Sequence, residues 1–211
     1  MERISNEIIQ QLFEGNSETR SLEYKSPFAW KNKKWEWIQL TLIKAIISMS
    51  NSRGGGKIII GVSQDSEKKL DYKGLNNSQL NSFDDYENIK AIVDGFLYSP
   101  SKFEIVHGEI NNKNYIIFII NEFSEIPLIT KKEGSPIKKA GPKNFVIQKD
   151  MIYTRSLSSP FESTHAREKE FIELFRLTAD KERYNLAQRG YVRQDTKNIQ
   201  DQYDQLIKDL I

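Results

Sequence analysis

The spacing of hydrophobic residues along this 211-residue chain predicts three helices. Apolar residues three or four positions apart are typical of a helix with one buried face. The first predicted helix carries Ile4, Ile8, Ile9, Leu12 and Phe13 and ends at Gly15. The second begins near Trp35, runs for about four turns and carries Ile38, Leu42, either Ala45 or Ile46, and Met49. The third covers Tyr86 to Leu97, with Ile89, Ile92, Val93 and Phe96 on one face.

Other segments have the composition of strands. Residues 21–25 are predicted to be extended, and the nearly continuous apolar run 57–62 indicates a buried central strand. The runs 103–106 and 115–120 flank the turn-prone residues 111–114, which predicts a hairpin, and 151–155 is a further short strand. Residues 63–84 are polar and rich in turn formers, and the chain from about Thr164 onward is predicted to be helical. The expected fold is α/β (α+β), a mixed β-sheet with flanking helices.

Composition narrows the class of protein. The chain has no cysteine, which excludes disulfides, thiolate zinc sites and a cysteine nucleophile and fits a reducing compartment, so we expect a cytoplasmic protein. No apolar segment has the length needed to cross a bilayer, and no membrane association is expected. Hydrophobic residues make up 38% of the chain, which is enough for a core.

Positive charge is local, because the net charge is only +2. The segment 131–150 holds six lysines against two acidic residues and is either a solvated loop or a basic patch. A second cluster interleaves Trp30, Trp35 and Trp37 with Lys31, Lys33 and Lys34. Exposed rings of this kind can stack on unpaired bases while lysines contact phosphates. Trp37 stands at the start of the second predicted helix and is expected to pack.

Two acids and a lysine near the first predicted strand could carry chemistry. Side chains alternate along a strand, so Glu23 and Lys25 share one face. Glu18 lies five residues before Glu23 and can converge with it only from a turn that leads into the strand. Carboxylates bind divalent metals and an ammonium can stabilise charge on a phosphate, as phosphodiester cleavage requires. The alternative is an exposed salt-bridged pair on an edge strand.

The stretch SNSRGGGKIIIGV, residues 50–62, places three glycines between a helix and a strand. Backbone amides of such a turn can approach a ligand closely, and Asn51 or Ser52 could cap it; a turn without a ligand is the alternative. It is not a nucleotide P-loop, since the order of helix and strand is reversed and Lys57 is followed by Ile58. His107 and His165 have no spaced partner, so surface or capping roles are expected for both.

Taken in order, several blocks of the sequence resemble the Schlafen-like AlbA_2 family, the Schlafen core type in a bacterial single-lobe form. They are ETRSLEYK (18–25), SMSNSRGGGKIIIGV (48–62), KGLNNSQL (73–80) and IYTRSLSSPFESTHAREKEFIEL (152–174). The resemblance covers about residues 5–175. It divides the chain into a Schlafen-like AlbA_2 domain, 1–175, and a C-terminal helical extension, 176–211.

The resemblance implies nucleic-acid binding and, as in several members, metal-dependent endonuclease action. The first two of the three acids of the nuclease members match Glu18 and Glu23. The third is an Asp at the second position after a Gly-Val pair, where this chain has Gln64, followed by Asp65. We therefore expect Glu18, Glu23 and Asp65 to bind Mg²⁺ or Mn²⁺ and Lys25 to act with them in catalysis. The predicted nucleic-acid contacts are Trp30, Lys31, Lys33, Lys34, Trp35, Arg53, Lys57, Lys138, Lys139 and Arg155.

The predicted function is that of a metal-dependent endoribonuclease of Schlafen type that cleaves structured RNA such as tRNA, as a defence or toxin effector. The alternative is a non-catalytic DNA- or RNA-binding regulatory module, for which Gln64 would be tolerated. A third reading is an interaction subunit that recruits a protein through its C-terminal helix. RNA is expected rather than DNA. A homodimer is expected to rebuild the two-lobed clamp of larger Schlafen cores.

Overall fold

The computed structural model describes residues 18–30, 36–64, 69–135, 145–159 and 162–189. The predicted helix around Ile4 to Phe13 lies outside the described residues. The elements run in chain order as β1 Leu22–Lys25, α1 Glu36–Ser50, β2 Gly56–Ile60, β3 Val62–Gln64, β4 Leu70–Tyr72, α2 Asn77–Asn81, α3 Tyr86–Asp94, β5 Phe103–Ile110, β6 Lys113–Ile120, β7 Tyr153–Arg155, β8 Ser163–His165 and α4 Glu168–Gln188.

The main sheet has four strands in the order β1-β2-β6-β5. Strand β1 runs parallel to β2, and the other two pairings are antiparallel. The predicted mixed sheet is confirmed. Strand β2 is buried on both faces, which explains its continuous apolar sequence. Ile58 and Ile60 face the main core with α1, whereas Ile59 faces a smaller cluster with Tyr24 and Tyr115.

A two-residue turn joins β5 and β6. Asn111 and Asn112 have φ angles of 51° and 59°, the conformation of a type I′ turn, whose twist matches that of the two strands. Strand pairing then continues from Ile110 opposite Lys113 to Phe103 opposite Ile120. The predicted hairpin is confirmed.

The predicted strand 57–62 is interrupted at Gly61. This residue has φ 120°, and a Cβ there would lie 2.8 Å from Cδ1 of Tyr115. Only glycine fits both the backbone angle and the space. After the break, β3 leaves the main sheet and pairs with β4, so the segment 63–84 is more regular than predicted. The break aims Gln64 at the surface beside β1.

The later helices differ from prediction mainly at their ends. Helix α3 ends at Asp94 and not at Leu97, since Gly95 caps it and Asp94 accepts hydrogen bonds from the N–H and hydroxyl of Ser101. Ile92, expected on the buried face, is exposed. Residues 163–165 form β8 before α4 begins, and α4 runs through position 175. The division into domains stays a prediction. Within the described residues, none of the helices combines the length and the apolar character that crossing a bilayer requires.

Candidate nucleic-acid interface

A turn brings Glu18 back alongside β1. Thr19 and Leu22 form an antiparallel bridge, so the chain reverses just before the strand, as the convergence of the two acids required. Glu18 Oε1 then accepts the N–H of Tyr24 at 3.0 Å, on the edge of β1 that faces away from β2. Burial raises the pKa of the Glu18 carboxyl, the Tyr24 N–H opposes that shift, and the nearby charge of Glu23 adds to it. The two acids therefore lie close together.

Glu23 is a buried carboxylate with two cationic partners. Its side chain shares a face with Lys25, as predicted, and Glu23 is only 5% exposed. One carboxylate oxygen pairs with Lys25 Nζ and the other with Arg155 Nη1. A carboxylate at this depth is stable only when its charge is compensated. The pairing therefore leaves Glu23 neutralised by two fixed positive charges.

Arg155 is a structural residue in this arrangement. Its side chain is 0% exposed and also donates to the backbone carbonyl of Thr19 at 3.2 Å and to Ser163 Oγ at 3.3 Å. The prediction that Arg155 contacts nucleic acid is wrong, because a guanidinium with no exposed surface cannot reach a ligand. Its role is to tie β7 and β8 to the turn before β1.

An open pocket of about 410 Å³ lies between β1, β3 and the first turns of α1. Acidic, basic, aromatic and amide side chains meet there. Its lining residues are Glu18, Tyr24, Lys25, Ser26, Trp37, Ile38, Thr41, Val62 and Gln64. The break at Gly61 brings Gln64, the residue at the third acidic position of nuclease members, to the same pocket as Glu18. Asp65 lies outside the described residues.

Of the two tryptophans that the structure describes, the one predicted to be exposed is buried and the one predicted to pack is exposed. Trp30 is 1% exposed and packs on Phe83, and its backbone N–H donates to Ser82 Oγ at 2.8 Å. Its ring therefore cannot stack on a base, and that prediction is wrong. Trp37, expected to pack, is 52% exposed at the pocket. Lys31, Lys33, Lys34 and Trp35 lie outside the described residues.

The family profile described as Schlafen, AlbA_2 matches residues 18–148. This chain belongs to the Schlafen, AlbA_2 family. The match begins at Glu18 and includes β1, the glycine turn, Gly61 and the hairpin. Family membership indicates a function related to nucleic acids.

Two solved structures are similar to this AlbA_2 chain at low identity. The DIP2311 protein from Corynebacterium diphtheriae is 12% identical, with a TM-score of 0.48, over 80% of this chain and 27% of that one. This chain thus spans about a quarter of the length of DIP2311. The N-terminal domain of a protein from Nitrosomonas europaea, described as related to the ATP-dependent DNA helicase RecG, is 14% identical. Its TM-score is 0.41, over 67% of this chain and 92% of that one. No curated protein matches this sequence.

The described residues of the AlbA_2 chain do not fit the divalent metal that nuclease relatives imply. Both Glu23 oxygens are engaged by cations, one Glu18 oxygen accepts a backbone N–H, and Gln64 offers a neutral amide. Oxygen ligands with enough negative charge are what Mg²⁺ and Mn²⁺ require. Within the described ranges, no three acidic or histidine side chains are grouped to hold a metal. Asp65 would have to supply the missing acid.

The glycine turn is occupied by the protein's own side chains. The N–H of Gly54 donates to Glu122 Oε2 at 2.6 Å, and Asn51 bonds to the backbone of Leu128 and Tyr153. The Asn51 side chain thus anchors two distant segments, while Ser52, the other capping candidate, donates its hydroxyl to the carbonyl of Ser48 at the end of α1 at 2.9 Å. Arg53 is exposed beside it and pairs with Asp180 at 2.8 Å.

The remaining predicted contacts are scattered. Lys57 lies on β2, paired in register with Leu22 and Ile119, and alternation along the strand gives it the face opposite to Ile58. Lys57 does not line the pocket. Lys138 and Lys139 lie outside the described residues.

A cationic site beside the pocket was missed. Lys44 of α1 lies over the ring of Tyr153, 4.9 Å from its centroid, and the Tyr153 hydroxyl is 3.0 Å from His165 Nε2. A signal was present in the sequence, since Lys44 is the one charged residue after Glu36 in the otherwise apolar and polar-neutral helix EWIQLTLIKAIISMS. The arrangement of Lys44, Tyr153 and His165 could not be predicted, because Lys44 and His165 are 121 positions apart in the chain.

Proposed function

We propose that this AlbA_2 chain is a nucleic-acid-binding module that receives an unpaired strand, RNA rather than DNA, in the pocket beside β1. The observation that carries the proposal is the exposed ring of Trp37 in the same pocket as Lys25 and Gln64. An aromatic face binds any base by stacking, and an amide can donate to and accept from a base edge. Bases in a duplex are not available for stacking, so the strand is unpaired.

The state of the acids favours binding without cleavage. Glu23 is neutralised by Lys25 and Arg155, and Gln64 stands where nuclease relatives have an acid. The charge of Glu23 is compensated, and the raised pKa of Glu18 favours its neutral form. The pocket therefore presents less negative charge to a phosphate than two free carboxylates would. A regulatory module needs only such a surface.

The test is the affinity of a fluorescently labelled single-stranded RNA for the Trp37→Ala variant, measured by anisotropy. Loss of one stacked base weakens binding by about 1–3 kcal/mol, or about 5- to 150-fold. The matched control is Phe175→Ala, which removes a more exposed ring from α4, away from the pocket. Equal affinity of the Trp37→Ala variant and the wild type would refute the proposal. A single-stranded DNA of the same sequence, assayed in parallel, tests the preference for RNA.

A second candidate is the metal-dependent endoribonuclease acting on structured RNA such as tRNA. The observation in its favour is that Glu18 and Glu23 lie close enough for the charge of Glu23 to raise the pKa of Glu18. Total RNA incubated with Mn²⁺, with and without EDTA, tests it. Discrete metal-dependent cleavage that is lost in Glu18→Gln supports the enzyme.

Glu18→Gln is a sharper variant than Glu23→Gln for this assay. The Glu23 carboxylate compensates the buried Arg155 and the half-buried Lys25, so its removal would confuse lost activity with lost folding. Gln64→Asp is the complementary variant, since it restores the acid of nuclease relatives. Cleavage that appears only in Gln64→Asp would indicate that the wild type binds nucleic acid without cleaving it.

The wider setting is also a proposal. We propose that the protein works in the cytoplasm as a homodimer, serves in defence or as a toxin, and recruits any protein partner through residues beyond α4. Sedimentation at micromolar concentration tests the dimer, and a monomeric mass would count against it. Pull-down with a chain truncated after Gln188 tests the partner segment.

A further inference from the structure

Lys44 is a half-buried ammonium without an acidic partner in the described part of the chain. Its stem lies on α1 and its Nζ lies 4.9 Å from the centroid of the Tyr153 ring. Burial lowers the pKa of Lys44, and no neighbouring carboxylate offsets that shift. A partly desolvated cation of this kind gains most from an anion that arrives from outside.

Among the described residues, two of the three other lysines that lie over aromatic rings have an acidic partner, whereas Lys132 over Phe96 has no ion pair there. Lys90 lies over Phe103 and pairs with Asp94, and Lys181 lies over Phe123 and pairs with Glu122. In both places the fold supplies the counter-charge. At Lys44 the ring is present and the carboxylate is not.

His165 contacts the same tyrosine and adds a second hydrogen-bond donor, beside the ammonium of Lys44. The backbone N–H of Gln148 donates to Tyr153 Oη at 2.7 Å, so the hydroxyl proton can be donated to His165 Nε2 at 3.0 Å. This pairing leaves Nδ1 of the neutral ring as a free N–H donor. Burial and the charge of Lys44 lower the pKa of His165, which favours the neutral imidazole.

The surface of α1 connects this pair to the pocket. Trp37, Thr41 and Lys44 are spaced by four and three residues, so they form one stripe along the helix. Trp37 and Thr41 line the pocket. At a rise of about 1.5 Å per residue, Lys44 lies about 10 Å along the axis from Trp37, within reach of a strand of a few nucleotides.

We propose that Lys44 and His165, which both contact Tyr153, form a subsite for a backbone phosphate of the nucleic-acid strand whose base stacks on Trp37. The ammonium supplies the charge, and the imidazole N–H supplies a directed hydrogen bond. This subsite deepens the proposed function and rests on it for the identity of the strand.

The test is the salt dependence of single-stranded RNA binding by the folded full chain. One phosphate contact contributes about 0.7 to the slope of log K against log[salt] for a single strand. Lys44→Met, which keeps a stem over Tyr153, is expected to reduce the slope by about 0.7, and Lys44→Arg to retain it. Lys90→Met is the matched control, because Lys90 also lies over a ring but has its own acid, and its slope should equal that of the wild type.

His165→Ala is the second variant, and it changes an exposed side chain. Because the imidazole is neutral, this variant should bind RNA more weakly with an unchanged slope. An unchanged slope in Lys44→Met overturns the proposal, as does unchanged affinity in His165→Ala.

If the wild type binds no RNA, the proposed function fails and the subsite is judged by itself. The chain has two histidines, so the imidazole resonances of His165 can be assigned by comparison with His165→Ala. Titration with inorganic phosphate should shift them in the wild type and not in Lys44→Met. Absence of a shift in the wild type overturns the subsite.

Discussion

Two cationic regions of this protein differ in what balances their charge. Around Glu23, the cations Lys25 and Arg155 meet a buried carboxylate, and Arg155 has no exposed surface. Around Tyr153, Lys44 and His165 meet an aromatic ring and a hydroxyl but no acid among the described residues. In the first region the cations stabilise the fold through internal ion pairs. The second leaves its cation available for a ligand.

The difference shows that position in a family motif does not by itself identify a ligand-binding residue. Arg155 lies in a block that resembles the family and was predicted to contact nucleic acid, yet its contacts are internal. Lys44 belongs to no motif, yet it lies next to the pocket. A cation that is compensated within the fold stabilises the native state, whereas an uncompensated one lowers stability and gains from binding.

The largest expected loss of stability follows from substitution of Arg155. Arg155→Met should lower the free energy of unfolding by about 3–5 kcal/mol, because it leaves the Glu23 carboxylate buried with a single partner. Urea denaturation followed by circular dichroism measures the loss. The double variant Glu23→Gln/Arg155→Met should be more stable than Arg155→Met, since neither charge then remains. A double variant that is the less stable of the two would contradict this account of the cluster.

A smaller effect is expected on the other side of the comparison. Tyr153→Phe keeps the buried ring under Lys44 but removes the acceptor of the Gln148 N–H. We expect a loss of about 1–2 kcal/mol in the free energy of unfolding. If Tyr153→Phe costs as much as Arg155→Met, the hydroxyl is a structural centre equal to the Glu23 cluster and the distinction between the regions fails.

A pH-dependent effect is expected at Glu18, where burial raises the pKa above its ordinary value of 4.5. The folded state then binds the proton more tightly than the unfolded state does. The stability contributed by this group is full below the unfolded pKa and is lost as pH rises through the higher folded pKa. Relative to Glu18→Gln, the wild type should therefore gain stability as pH falls from neutral toward 4.5. Paired denaturation curves across that range measure the difference, and the opposite slope would show that hydrogen bonding outweighs burial.

The smallest effect is expected at Arg53, whose ion pair with Asp180 is more than half exposed at Arg53 and half exposed at Asp180. Arg53→Met should leave the thermal midpoint unchanged, because water and salt screen such a pair. The same variant tests the predicted nucleic-acid contact, which would appear as a lower affinity for RNA at unchanged stability. A clear drop in the midpoint would mean that Arg53 belongs with the structural cations.

Local patterns predicted much of the fold. The hairpin followed from the pair Asn111 and Asn112, because these residues accept the positive φ that a type I′ turn needs. The shared face of Glu23 and Lys25 followed from the alternation of a strand. The break at Gly61 did not follow, since the reason for it is the ring of Tyr115, which comes from β6.

The candidate site was predicted in its parts more than in its arrangement. The convergence of Glu18 and Glu23 was stated as a condition on a turn, and the bridge between Thr19 and Leu22 meets it. The two described tryptophans were assigned wrongly. Seven residues separate them, and nothing in that spacing shows that Phe83 covers Trp30 while Trp37 remains open at the pocket.

The sequence by itself determined the local elements of this protein, the family to which it belongs and the residue types available for chemistry. These depend on backbone preference and on spacing, which act over a few residues. The packing of distant segments brings Glu23 to Arg155, 132 positions away, and leaves Lys44 without an acid among the described residues. Compensation of a buried charge depends on which distant segments pack together, and that information is not present in any single stretch of the chain.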